Sequence, residues 1–486
     1  MRYRNFIELI FVAGIVFSSG FFFCKDSPYQ PEPPEDGVRE VIILYTNDEH
    51  GWMEPTSTHG GAAGMMGLWK QREGYSADGP YLILSGGDMW TGPAISTWTA
   101  GESMVQVMNA MGYSAAAIGN HEFDFKVDGL NRNLSLSQFP YLSANIKTKS
   151  TGEIPEFAEP YLIKQVNDVN VGIIGLTTVT TPTSTFPDNV QDYDFIDYAE
   201  ALEQVVPRVK ADGAELIVVA AHICSWEMKA LAAKAKSLGV SMIGGGHCTD
   251  TININDSGVA LVHSGRNMQH YARVQIQYDT VGDTLISISQ QLVENKGGTA
   301  DAEIASIVAY WRDQVDATLS EVIGFTENGI GSRSWAMYNM VTDSWLISYP
   351  AAQISCTNAG GIRQSIPSGE ITLETIVSVL PFENSIVELE LTGSQLMDVV
   401  SRLIFGGMTS VGGYRLTDGT PLDPSQTYRV LTIDYLYSRP DYNFQNYDET
   451  PYYTSIHYRQ PVIDWIKSLN TSPENPLDQY LDNNPR

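Results

Sequence analysis

The sequence predicts an α/β fold built in layers, followed by a second, α+β domain, and three observations carry the prediction. Apolar β-like runs at 41–46, 81–85, 115–118, 171–176, 216–221, 240–243 and 259–264 alternate with helical segments at 62–73, 101–111, 199–211 and 227–238. That is the rhythm of a sheet with helices outside it. Acidic and imidazole side chains fall just past five of those runs: Asp48 and His50, Asp88, the run Gly119-Asn120-His121-Glu122-Phe123-Asp124, His222 and His247. The carboxyl ends of strands are where an open α/β sheet places its active site. Finally, 486 residues are too many for one compact core.

From the N-terminus, Arg2 and Arg4 precede an apolar stretch from Leu9 to Phe23, so 1–24 read as an export leader and 25–37 as a proline-rich tether. The stretch is short for a membrane span. Cys24, trailed by Lys-Asp-Ser-Pro, resembles the lipidation site of a bacterial lipoprotein, which would attach the chain to a membrane. Ser18 and Gly20 instead offer an ordinary cleavage site after Gly20, and both readings place the protein in the periplasm or at the cell surface. A layered domain then spans 38–298. Residues 301–320 carry Ile304, Ile307, Val308, Trp311 and Val315 at helical spacing. They predict a linker helix over 299–322, the alternative being an ordinary amphipathic helix of the first domain. The second domain spans 323–470, and the polar, proline-bearing 471–486 read as a flexible tail.

A hydrophobic fraction of 43% is ordinary for a globular protein, while the formal charge of −28 argues against nucleic-acid binding through a basic face. An anionic substrate must therefore be captured locally. The four cysteines define no disulfide framework. Cys224 and Cys248 lie beside His222 and His247 and read as small buried thiols, with a disulfide or a thiolate contact as the alternatives. His263 and His270 match no ligand pattern and read as structural.

Oxygen and imidazole donors without a CxxC pair suit Mn, Zn, Fe, Mg or Ca rather than a structural zinc. Two cations about 3.5–4 Å apart need a carboxylate that bridges them, and a hydroxide between them is a nucleophile at neutral pH. Asp88 is the candidate bridge.

Those motifs, in that order, resemble the 5′-nucleotidase and UDP-sugar hydrolase family of calcineurin-like metallophosphoesterases, from about Val41 to about Ile463. The resemblance implies a four-layer αββα sandwich plus a C-terminal substrate-binding domain, and two divalent ions drawn from Mn, Zn, Co, Fe or Mg. Asp48, His50 and Asp88 would hold one ion, and Asp88, Asn120, His222 and His247 the other. His121 would stabilise the transition state and protonate the leaving oxygen, with Asp124 holding its ring. The family usually has a metal-ligating Gln, His or Asn where this chain has Thr249, a poor ligand, so the first metal would be bound weakly, completed by water, or helped by Cys248 or Asp250, the alternative being an open coordination position and nothing more.

The same resemblance assigns Thr357–Arg363 (TNAGGIR) to substrate binding. Asn358 would contact the nucleoside and Arg363 its anionic part. Phe382 and Tyr435 would sandwich the base. Asp441 would contact the ribose, although the family's GGDG segment is replaced by Arg439-Pro440-Asp441-Tyr442, and Arg333 would be a second phosphate arginine. The implied activity is release of phosphate from nucleotides. Cyclic nucleotides or UDP-sugars are alternative substrates, and a nucleotide-binding surface lipoprotein without turnover is the alternative of another class.

Overall fold

The computed structural model describes residues 37–248 and 250–486. The leader, the Cys24 lipidation site, the tether up to residue 36 and Thr249 lie outside the described residues.

Two six-stranded sheets stack face to face. In the first, Val38–Thr46 pairs antiparallel with His270–Asp279 and parallel with Tyr81–Ser85, beyond which come Ala115–Ala117 and Tyr141–Leu142; Thr284–Glu294 forms the other edge. The second runs Thr251–Asp256, Val259–Ser264, Val240–Gly244, Leu216–Ala221, Val169–Leu176 and Tyr161–Val166. Side chains alternate along each strand, and here both faces are buried. Val41, Ile43 and Tyr45 meet Leu216, Val218 and Ala220 between the sheets. Ile42 and Leu44 face the helices Gly61–Gln71 and Glu102–Met111. Ile217, Val219 and Ala221 face Tyr198–Ala211 and Ser225–Leu238. The result is the four-layer αββα sandwich, and double burial explains why its strands read as unbroken apolar runs.

The helix Ala302–Leu319 begins at Asp301, whose carboxylate accepts the N–H groups of Glu303 and Ile304. Its first half gives Ile304, Val308 and Trp311 to the core of the sandwich. Its second half gives Val315 and Leu319 to a small cluster with Ala94 and Val377. It therefore packs against both halves of the chain. The second half is built on a five-stranded sheet in the order Ile404–Gly406, Ile354–Thr357, Thr427–Ile433, Ser385–Thr392, Tyr452–His457.

The segment 471–486, expected to be loose, is docked instead. Leu477 is fully buried. The Asp478 carboxylate accepts the N–H groups of Glu327 and Asn328, at 2.8 and 3.0 Å, and the Thr326 hydroxyl. Arg486 forms a two-pronged pair with Asp343. These are capping and charge contacts with no periodic signature in the sequence.

The halves are tied across the cleft. Ala94 N–H donates to Ser378 Oγ at 3.0 Å. Arg312, on the joining helix, donates to both oxygens of Glu54 on one side and to Glu374 on the other. Arg312→Ala should leave both carboxylates without their shared donor and lower stability by about 1–3 kcal/mol. Calorimetric melting would show this as a lower or split transition; an unchanged melt contradicts the tie.

Candidate active site

Four of the candidate metal donors sit on left-handed backbone, at φ 49° for Asp48, 47° for His50, 58° for Asp88 and 72° for His247. Side chains rarely adopt this conformation, and clustering of such strain marks a site whose surroundings dictate its geometry. The clamp is visible around Asp88. Glu122, wholly buried, accepts the N–H groups of Asp88, Met89 and Gly119 at 2.9, 2.8 and 2.7 Å. Gly119 is required there because a Cβ would collide with Asp88 Oδ1.

The donors face one another. Asp88 Oδ2 lies 3.0 Å from His222 Nε2, 3.9 Å from His50 Nε2 and 4.0 Å from His121 Nε2. His50 Nδ1 and His222 Nδ1 each donate to a backbone carbonyl, of Thr91 at 2.9 Å and of Gly86 at 2.8 Å. A carbonyl only accepts, so each ring offers Nε2 inward. Asn120 donates to Ser184 O through its amide nitrogen, which turns Oδ1 to within 3.2 Å of His222 Nε2. Asp48 Oδ2 accepts from Asn47 and from the His247 N–H at 2.8 and 3.0 Å. Two donor groups result, Asp48–His50–Asp88 and Asp88–His222–His247, each with its ligand atoms within 4.8 Å of one another. Asp88 belongs to both. Carboxylate and imidazole atoms so placed fit divalent cations of the Mn, Zn or Fe type.

The charges are mutually adjusted. Burial works to raise Asp88, but the imidazoles of His222 and His121 outweigh it and hold the carboxyl well below its usual range. Burial opposes charge on His222, yet Asp88 and its hydrogen bond raise that imidazole to about 10. Burial also opposes charge on His121, but Asp124 and Asp88 prevail and raise it. His121 Nδ1 lies 2.7 Å from Asp124 Oδ2, and Thr185 Oγ1 donates to the other oxygen at 3.1 Å.

Two adjoining cavities of about 390 and 400 Å³ open here. His121, Ser184, Arg363 and Tyr435 line both, so they mark the junction. The first cavity also holds Asn358, Phe382 and Asp434, and Asn358 Oδ1 is buried there without a hydrogen-bond partner among the described residues. Phe382 stacks on His121 at 5.6 Å between centroids, and Arg363 sits 5.7 Å over the Phe382 ring. The second cavity holds Asp48, His50, Asp88, Asn120, His247, Arg266, Arg333 and Arg439.

The structure thus brings together all the sequence-derived site residues but one. Asp441 lines neither cavity, because its carboxylate is held by Arg439 Nε and Nη2, both at 2.8 Å. Cys224 and Cys248 are not buried thiols but a disulfide, so Cys248 is no substitute ligand. His263 is buried, with Nδ1 near Asn47 and Gly265; neither it nor His270 joins a donor group. Sequence reasoning missed Glu122, although it lies inside the quoted motif, and missed Arg266, Arg439 and Asp434.

A family model for the C-terminal domain of 5′-nucleotidase matches residues 317–414. One for the bacterial capsule synthesis protein PGA_cap matches 82–271, the stretch holding Asp88, Asn120, His222 and His247. Protein UshA of Escherichia coli is 27% identical over 477 residues, covering 82% of this chain and 86% of that protein. The 5′-nucleotidase of Homo sapiens is 28% identical over 478 residues, covering 86% and 82%. The 5′-nucleotidase precursor of Thermus thermophilus shares the fold, with a TM-score of 0.75 at 23% identity over 89% of this chain and 97% of that one. Fold and relatives together define a hydrolase of the metallophosphoesterase class. Within it, the relatives that the chain resembles over most of its length are protein UshA and 5′-nucleotidases, and its C-terminal half carries the match to the 5′-nucleotidase C-terminal domain.

Because His222 is protonated at neutral pH before a cation arrives, loading must displace its proton. Affinity should then rise with pH, by about tenfold per unit for each proton displaced below the group's own value. Calorimetric Mn titrations at about pH 6.5 and about pH 8 would check this; equal affinity at both contradicts the proton–metal exchange.

Proposed function

We propose that the chain is an exported, metal-dependent phosphohydrolase that releases phosphate from nucleotides. What supports the reading is the junction of the two cavities, where His121 and Arg363 stand between an aromatic pocket and the carboxylate–imidazole cluster.

When bound, a pair of divalent cations supplies Lewis acidity and a water activated at neutral pH. Asp48, His50 and Asp88 hold one, and Asp88, Asn120, His222 and His247 the other. Phe382 and Tyr435 take the base between their rings, a contact worth about 1–3 kcal/mol per stack. The unpartnered Asn358 oxygen accepts from the nucleoside. Arg363 neutralises the phosphoryl group as the P–O bond to the nucleoside breaks. His121, whose cationic form Asp124 favours, gives its Nε2 proton to the departing oxygen, so nucleoside leaves as the alcohol while phosphorus takes up the oxygen of water and leaves as inorganic phosphate. A group that only bound nucleotide would have no use for the 2.7 Å His121–Asp124 pair. Asp434, which lines the pocket where Asp441 does not, takes the place expected of that carboxylate.

Arg266, Arg333 and Arg439 add cationic charge beyond what one phosphoryl group needs. They favour a second reading in which the substrate carries further phosphate, as nucleoside diphosphates and UDP-sugars do. The Cys224–Cys248 disulfide suits an oxidising compartment and supports export. Among the described residues no helix is long and apolar enough to cross a membrane.

Phosphate release from AMP, ADP, cyclic AMP and a UDP-sugar, with Mn, Co, Zn or Mg added, tests the proposal and ranks the substrates. His121→Ala should lower kcat by about 10²–10⁴ with little change in KM. Phe382→Ala should chiefly raise KM. Absence of turnover with every metal, alongside retained nucleotide binding, overturns the enzyme reading.

A further inference from the structure

We propose that the Cys224–Cys248 disulfide is a positioning element of the metal site, holding His247 at the distance from His222 that a shared cation requires. The inference rests on the reading of His222 and His247 as metal donors, and not on which nucleotide is hydrolysed.

The two cysteines lie where such a strap would act. His222 directly follows the strand Leu216–Ala221 and His247 follows Val240–Gly244, its parallel neighbour. Cys224 and Cys248 stand two and one residues beyond these histidines, and the bridge joins them at a Cα–Cα distance of 5.1 Å. One anchor is rigid. Cys224 caps the helix Ser225–Leu238, its N–H donates to Glu227 Oε2 at 2.9 Å, and Glu227 Oε1 accepts from Tyr198. His222 is fully buried and fixed through Nδ1 to Gly86.

The other end is the weak one. The His247 ring is half-buried, on left-handed backbone, and its side-chain contacts among the described residues are Thr180 Oγ1 at 3.3 Å from Nε2 and the edge of the His222 ring, 5.1 Å between centroids. Of the six donors it is the least supported by its own side chain. Its main chain is fixed by the His247 N–H to Asp48, by Gly246 N–H to Ile223 O at 3.0 Å, and by the disulfide one residue on. The bridge closes a loop with a sequence separation of 24 and ties its free end to the capped helix. It also removes two thiols from beside the donors, which keeps the set to oxygen and nitrogen atoms and denies soft cations a sulfur ligand.

Mn titrated calorimetrically into chelator-stripped protein gives the test, comparing wild type with Cys224→Ala/Cys248→Ala and Cys224→Ser/Cys248→Ser. Affinity should fall about 10–100-fold at one of two sites, the range for groups that orient metal ligands. AMP binding without metal, followed by tyrosine and tryptophan fluorescence, should be unchanged, which separates loss of positioning from loss of fold. If both variants fail to fold, wild type reduced with a phosphine serves instead; the phosphine takes up oxygen from water as the two thiols form. Wild-type affinity at both sites in a folded, bridge-free protein overturns the proposal. Failure of the wild type to bind any cation overturns it together with the donor assignment. Absent nucleotide turnover, with the affinity difference intact, overturns only the nucleotidase reading.

Discussion

The shared carboxylate of Asp88 is the interaction on which the rest of the site depends. Its Oδ2 faces His50, His121 and His222 from three different loops, and its Oδ1 accepts the His121 N–H at 2.9 Å. Each loop leaves the carboxyl end of a strand, so the sandwich delivers the histidines and Asp88 collects them. The cost of this arrangement is concentrated charge in a buried place, and the protein manages it with positioned hydrogen bonds. Glu122 locks the Asp88 loop to the Gly119 loop, while the Gly86 and Thr91 carbonyls fix two imidazole tautomers. Without Asp88, burial would weigh more heavily against charge on the same imidazoles, and no single anionic group would link the two donor sets.

A second constraint comes from the C-terminal half. A net charge of −28 repels anions at long range, so cationic groups must act close to the substrate. Arg333, Arg363 and Arg439 arrive from the second half and meet Arg266 from the first across one cavity. Phe382 against His121 places an aromatic surface directly beside the acid–base pair. The aromatic and arginine lining and the carboxylate–imidazole cluster therefore come largely from different halves of the chain, which makes the tie through Arg312 a determinant of how the cavities align.

Much of the architecture was legible in the sequence because the strands are buried on both faces. Their apolar runs are continuous, and the helices between them carry the other periodicity. Asp48, His50, Asp88, Asn120, His222 and His247 were legible for a related reason: polar side chains directly after such runs have few structural uses. What escaped was set by tertiary approach. The disulfide follows from the pairing of Leu216–Ala221 with Val240–Gly244, which a spacing of cysteines does not encode. Arg266 reaches its cavity from the turn after Val259–Ser264, and Asp434 from the first residue of the helix Asp434–Ser438, positions that no local pattern marks. Asp441 sits in the expected segment, yet Arg439 two residues earlier captures it. The docking of Asp478 onto exposed N–H groups likewise has no periodic trace.

Anomalous diffraction from crystals soaked in Mn tests the central claim most directly. Two peaks about 3.5–4 Å apart, with Asp88 touching both, are the predicted result. A single peak, or two peaks of which only one contacts Asp88, would contradict the shared-carboxylate account.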